Sequence, residues 1–149
     1  SLLPLWDDPS AKIRDHAYAE MNYHVAYDPA RSVFDGRNHY VRYFESPAAV
    51  PSNIGDSPTK EAFFNAEVPS PFLILPREGL YDTALDPLQN RNLVTEASYG
   101  TILARLKRSL VEWMERTGDY LPDTPVPRPE HALVADRSAY SSRSADALR

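Results

Sequence analysis

From Tyr99 to Met114 large apolar residues recur at intervals of three and four: Tyr99, Ile102, Leu103, Leu106, Leu110, Trp113 and Met114. Side chains so spaced share one stripe of an α-helix, because 3.6 residues make a turn. Arg105, Lys107, Arg108, Glu112, Glu115 and Arg116 fall on the other faces. Thr95 is expected to cap the start, and Glu96 sits in the first turn, where the helix dipole favours an acid. Gly118 follows Thr117, the position past a helix end that favours a left-handed backbone. The spacing therefore predicts a helix over 96–117. Burying its stripe contributes on the order of 10 kcal/mol before chain entropy, at ~1.5–3 kcal/mol per large side chain. Such a helix needs an apolar surface to lie on. The stripe is read as packing on the chain's own sheet rather than as a surface for another protein.

The sheet is legible upstream. From Ala17 the chain alternates: Ala17, Ala19, Met21 and Tyr23 form an apolar face, while Tyr18, Glu20, Asn22 and His24 form one that turns polar toward its end. Asp28-Pro29 is read as the break after this strand. Arg31-Ser32-Val33-Phe34 and His39-Tyr40-Val41-Arg42-Tyr43-Phe44 then flank Asp35-Gly36-Arg37-Asn38, a strong hairpin signal. Leu80-Tyr81-Asp82 reads as a short strand closed by Asp86-Pro87. The fold class expected is α+β: a small antiparallel sheet of about four strands, one long C-terminal helix packed on one face, and an extended proline-rich tail.

Fourteen prolines against five glycines force much of the rest into loop or extended chain, since proline fixes φ and lacks an amide donor. In the aperiodic stretch 45–78, Ser57 and Pro58 mark the start of a short helix, as N-cap and first residue. Pro122, Pro125, Pro127 and Pro129 predict a surface-hugging tail, with disorder in the last ten residues. The organisation expected is an approach segment at 1–15, a domain at 16–121 and a tail at 122–149. Ser1-Leu2-Leu3-Pro4-Leu5-Trp6 lacks the basic stretch of a signal peptide. With no initiator Met, the chain is expected to be a fragment or a processed product.

A net charge of −5 and a pI near 5.3 argue against nucleic acid as main partner, which needs clustered Lys and Arg. The lack of cysteine excludes disulfides, thiolate metal sites and a cysteine nucleophile. No apolar run approaches the ~20 residues of a membrane span. His16, His24, His39 and His131 show no metal-ligand spacing, and no serine has the flanking glycines of a nucleophile elbow. Asp7-Asp8 is read as a pair of surface acids, since a hard cation needs about six oxygen ligands or more.

The pieces Asn22-Tyr23-His24, Tyr27-Asp28-Pro29-Ala30-Arg31, the hairpin 32–42, Leu80-Tyr81-Asp82 … Asp86-Pro87 … Asn90 … Asn92-Leu93, and the helix closing on Trp113 … Thr117-Gly118-Asp119 occur in a telling order. Together, over roughly 16–121, they resemble the C-terminal subdomain of the sulfatases. That family's hairpin reads R-x-V-R-x-G-R-Y-K-Y, and its strand-loop reads E-L-Y-D-L-x-x-D-P-x-E-x-x-N-L. Phe34, Asn38 and Gln89 depart from the usual pattern. The proline-rich insert with Ser57-Pro58-Thr59 places the resemblance nearest the heparan N-sulfatase (sulfamidase) branch.

The resemblance implies hydrolysis of a sulfate ester or of an N-sulfoglucosamine sulfamate. It also implies that the chemistry lies elsewhere. Sulfatases use a formylglycine made within C/S-x-P-x-R, and a calcium held by Asp and Asn. Tyr27-Asp28-Pro29-Ala30-Arg31 fits only x-x-P-x-R, and a tyrosine cannot become formylglycine. Calcium and formylglycine are thus expected in an N-terminal catalytic domain, with no cofactor in this chain, which alone should be inert. The partners implied are that domain and a sulfated saccharide; self-association to cover an exposed apolar face is a further expectation. The family suggests an extracytoplasmic or secreted setting.

By the same analogy His24, Asn22 and Glu20, on one strand face, with Arg31, are candidates to line a polar rim against a sulfated sugar, where His⁺ or Arg meets sulfate or carboxylate. The bland alternative is a solvent-facing strand. Phe63, Phe64 and Phe72 either stack on a saccharide or cover the sheet or the face of the absent domain. The rival reading of the whole chain is a non-enzymatic glycan-binding or protein-interaction module. An upstream reading frame carrying C/S-x-P-x-R separates the two.

Overall fold

A computed structural model describes residues 2–45, 49–66, 73–74, 76–119, 121 and 123–143. Phe72 and residues 144–149 of the expected disordered end lie outside them. Four strands, β1 Ala17–Tyr23, β2 Tyr27–Phe34, β3 Asn38–Tyr43 and β4 Glu78–Asp82, form one antiparallel sheet in chain order. Among the described residues three α-helices accompany them: α1 Pro4–Asp7, α2 Pro58–Phe64 and α3 Gly100–Thr117. The expected α+β architecture is the one observed.

The hairpin between β2 and β3 pairs Phe34 with His39 and Val33 with Tyr40. Asp35 Oδ1 accepts the amides of Arg37 (3.0 Å) and Asn38 (2.6 Å), and Gly36 takes φ +97° between them, a conformation that glycine adopts without a steric penalty. Arg105 on α3 donates to Asp35 Oδ2 at 2.5 Å, tying turn to helix. Burial pushes the Asp35 carboxyl up, but Arg105 and the turn amides outweigh it and hold it below its usual range.

Leu106, Leu110 and Met114 of α3 bury their side chains against Val33, Tyr40, Leu80 and Leu93. Tyr18 lies on the same side, its ring stacked on Trp113 at 5.0 Å and its hydroxyl 2.7 Å from Ser109 Oγ. This corrects the reading of β1. The face carrying Tyr18 and Glu20 meets the helix, and Ala17 and Ala19 are exposed. One large aromatic outweighs several alanines in choosing which face is covered. A second correction concerns Asp28-Pro29, which lies within β2 rather than breaking the chain. Between the pairs Met21↔Ala30 and Tyr23↔Tyr27 the register shifts. Asp28 and Pro29 therefore stand opposite the single residue Asn22, and the missing proline amide falls at a bulge.

The end of α3 is as expected: Gly118 adopts φ +69° and the Asp119 amide reaches back to Met114 O at 2.9 Å. Its start is not. Thr95 does not cap; Ala97–Tyr99 form a 3₁₀ turn and α3 begins at Gly100 without a side-chain cap. The preceding chain is held to β4 instead. Leu93 N donates to Leu80 O (2.8 Å), Glu96 N to Leu93 O (3.0 Å), and Tyr99 Oη to Asp82 Oδ2 (3.1 Å). Ser57 does cap α2, accepting the Lys60 amide at 3.1 Å, with Pro58 following.

Asn92 completes the free edge of β4. Its Oδ1 accepts the amides of Leu80 (3.0 Å) and Val94 (3.1 Å), and its Nδ2 donates to Glu78 O (2.9 Å). An amide side chain thus does what a fifth strand would. At the other end of β4, Asp82 accepts Arg37 through both oxygens, Oδ1 at 3.0 Å and Oδ2 at 2.7 Å, as well as Tyr99.

The chain after α3 returns along the sheet. Tyr23 Oη donates to Val126 O (2.8 Å), Val126 N to Tyr27 Oη (3.1 Å), and Ala135 N to Val25 O (2.8 Å). Arg137 meets Asp28 at 2.8 Å, and Lys60, itself buried, holds Tyr140 O and Asp56 Oδ1.

Asn92→Ala should cost about 1–3 kcal/mol, read from urea unfolding. The Asp82 carboxyl is held at about 2 against a usual 3.8, chiefly by the Arg37 hydrogen bond, with burial opposing and Tyr99 adding. A depressed folded value stabilises the fold above the unfolded value and is lost as pH falls through the folded one. The Tm difference between the wild type and Arg37→Gln should therefore be full above pH 3.8 and close toward about pH 2.

A cleft at one end of the sheet

Antiparallel order brings the end of β1, the start of β2, the end of β3 and the start of β4 to one rim. Tyr43 pairs with Ala30 and Arg42 with Glu78. Phe44 N donates to Pro29 O (3.1 Å), and Tyr43 N to Arg77 O (2.9 Å). The rim opens into a cleft of about 630 Å³ walled by Tyr27, Arg42, Tyr43, Phe44, Arg77 and Pro125. The Arg42 guanidinium stacks over the Phe44 ring at 4.8 Å. Among the described residues no carboxylate lies within ion-pair distance of Arg42 or Arg77.

Glu78, at the cleft's edge, is already matched: Lys107 Nζ stands 2.5 Å away and Tyr40 Oη donates at 3.1 Å. Burial pushes its carboxyl up, but Lys107 and Tyr40, with the charge of Arg42 across the strand pair, win and leave it lowered. Burial also pushes the Tyr43 phenol up, with Tyr81 and Asp28 adding to it. The wall thus carries two arginines, Arg42 and Arg77, two glutamates, Glu45 and Glu78, and aromatic faces between them.

The residues singled out from the sequence meet different fates. His24 is exposed at the turn after β1, its amide on Ala26 O at 3.2 Å. Asn22 is half-buried at the bulge, and its Oδ1 finds no partner among the described residues. Glu20 keeps a 56% exposed side chain and lies 3.8 Å from Arg31 Nε, its cross-strand partner.

Arg31 is the correction. It is 1% exposed, with Nε and Nη2 on the Asp119 carboxylate (2.5 and 3.0 Å) and Nη1 on the carbonyls of Met21 and Ala30 (3.0 and 2.9 Å). All three nitrogens are occupied inside the protein, so no sulfate reaches them. The missed partner lies 88 residues away, just past the helix-ending glycine. Arg42 and Arg77, at the ends of neighbouring strands, were not singled out from the sequence. The only trace in the sequence is the basic–aromatic alternation from His39 to Phe44.

Among the described residues no group of three or more His, Asp or Glu is placed to hold a metal ion. Asp8 accepts the amide (2.9 Å) and hydroxyl (2.6 Å) of Ser10. Phe63 is exposed, and Phe64 meets Tyr140 edge-on at 5.7 Å.

No family model matches the chain. It is 28% identical over 134 residues to the ulvan-active sulfatase of Formosa agariphila, covering 85% of this chain and 26% of that protein. Among solved structures, BT1596, a 2-O GAG sulfatase, superposes with a TM-score of 0.55 at 23% identity, over 87% of this chain and 22% of that one. BT4656, in complex with its substrate D-glucosamine-2-N,6-O-disulfate, gives 0.54 at 16% identity, over 85% and 21%. The chain is thus similar to a portion of sulfatases and spans about a quarter of the length of these relatives.

Removing Asp119 should strand the Arg31 charge. Asp119→Ala is expected to cost about 3–5 kcal/mol, because an unpaired buried ion keeps its desolvation penalty. The double replacement Arg31→Met with Asp119→Leu should cost less than the single one. Urea midpoints for the three proteins decide it.

Proposed function

We propose that this chain is the C-terminal part of a sulfatase-like hydrolase acting on a sulfated polysaccharide, where it shapes the substrate cleft. The observation that carries the reading is the 134-residue match to a sulfatase, together with a sheet-and-helix fold shared with two saccharide-directed structures. Within the enzyme type, the proline-rich insert favours the sulfamidase-like branch, with a sulfamate or sulfate ester as the bond cleaved. His24, Asn22 and Glu20 are assigned to the polar rim facing the sugar. Arg31 holds that strand in place from within.

The catalytic groups of the family do not fit here. The sequence has neither a cysteine nor a serine heading S-x-P-x-R, and no acidic cluster among the described residues suits calcium. The formylglycine and its metal are therefore assigned to a catalytic domain that partners this chain, and no chemical step is assigned to residues 1–149. A second reading, a glycan-binding module that works without catalysis, draws support from the cleft at the rim, which this chain builds by itself.

The test is sulfate release, followed by ion chromatography, from sulfated polysaccharide and from an aryl sulfate. The pure chain should match the blank, and joining it to its upstream coding region should give turnover. In that longer protein His24→Ala should raise KM more than it lowers kcat. Turnover by the pure chain, or an upstream region without C/S-x-P-x-R, would overturn the enzyme reading.

A further inference from the structure

The described residues hold two cores of different make. The first, under α3, is built from large side chains, among them Leu80, Leu106, Leu110 and Met114. The second joins three segments distant in sequence: the turn between β1 and β2, the loop 50–53 and the tail. Its buried apolar residues are Ala26, Val50 and Ala135, with Val25 and Ala139 against them. Alanines and valines remove far less apolar surface from water than leucines do, so packing alone holds these segments weakly. Polar pins supply the rest. Asn53 Oδ1 accepts the amides of Val25 and Ala26, each at 3.0 Å, and Ala135 N donates to Val25 O at 2.8 Å. Arg137 Nη1 donates to Tyr27 O (2.7 Å) and to Asp28 Oδ1 (2.8 Å), while Asn53 Nδ2 donates to Asp28 Oδ2 at 3.3 Å.

Helix α2 is tied to the same place by a charge. Its seven residues are too few for a helix to persist unaided, and its single buried residue is Lys60. An ammonium has three protons to place. Lys60 sends them to Ile54 O (3.0 Å), Asp56 Oδ1 (2.9 Å) and Tyr140 O. The Tyr140 ring centre lies 4.4 Å from Nζ, and Phe64 meets that ring edge-on. Ser141 Oγ donates to the second oxygen of Asp56. Without the tail, Lys60 loses one acceptor and its aromatic cover, and a buried ammonium short of partners is unfavourable. Upstream, Val126 packs on the first core. Between the two anchorages residues 127–131 are all exposed, and His131 holds φ +62°, a left-handed backbone that is strained for residues with a Cβ.

We infer that residues 135–141 are a strap that detaches as one unit, freeing α2, the loop 50–53 and the turn that carries His24 while the sheet and α3 stay folded. The hinge is the exposed run 127–131. Shut, the strap fixes the turn, since His24 N donates to Ala26 O and Ala26 bridges to Ala135. Open, it leaves that turn to the β1–β2 ladder alone. Opening of this kind has a free energy below that of global unfolding and exposes little new surface. The strap is a property of the fold and stands whether or not the chain serves a sulfatase.

The experiment is native-state amide hydrogen exchange on the ¹⁵N-labelled 149-residue chain, in urea below its unfolding midpoint. The hydrogen-bonded amides of Val25, Ala26, Asn53, Glu61 and Ala135 should exchange at one common free energy, nearly independent of urea. That free energy should lie below the value for Val33, Leu106 and Leu110. Lys60→Gln and Arg137→Gln should each speed all five amides roughly ten- to a hundredfold, including those remote from the substitution. Arg105→Gln breaks an ion pair between α3 and the β2–β3 turn and should leave the five unchanged. Exchange of the five together with Leu106 at a single free energy would mean one cooperative fold and no strap. Five unrelated free energies, or substitutions felt only by their immediate neighbours, would equally overturn the assignment. The unsubstituted chain alone decides between a common, a separate and a scattered free energy, so a variant that fails to fold leaves the test standing.

Discussion

The buried pair of Arg31 and Asp119 is the constraint on which the arrangement depends. It joins the second strand to the residue that follows the end of α3, at an Nε to Oδ2 distance of 2.5 Å. Ionised groups removed from water are costly unless matched in geometry and hydrogen bonding, and here both conditions hold. The remaining nitrogen bonds two carbonyls, and Asp119 also receives the amide of Leu121. Helix, strand and departing chain are therefore set relative to one another at one point. Leu121, which walls the cleft, takes its position from it.

What could be read from the sequence is what depends on near neighbours. The Asp-Gly turn, the Ser57 cap with Pro58, and the glycine after α3 each act over a few residues. The structure shows all three. What escaped depends on distant ones. The covered face of β1 is decided by Trp113 meeting Tyr18, and alternation alone does not say which face a helix will cover. Asp28-Pro29 carries a turn signature, yet it sits in a strand because Asn22 across from it leaves a bulge. Thr95 has the right chemistry for a cap, but β4 holds that segment too firmly for the helix to start there.

The candidate site was legible only at its margin. His24, Asn22 and Glu20 lie where β1 ends beside the start of β2, because strand polarity and the following turn are local facts. Arg31 could not be placed, since an arginine on a strand is exposed or buried according to a partner 88 residues away. Arg42 and Arg77 reach the same rim only through the β3–β4 register, across an insert without a repeating pattern.

One feature of the sheet reaches beyond this cleft. With Asn92 occupying the backbone of β4, that border offers a visiting peptide no ladder to join. Among the described residues β1 is paired on one side only. Any recruitment of a further strand, whether productive assembly or misassociation, is therefore directed to the Ala17–Tyr23 border, giving the sheet a single polarity of growth.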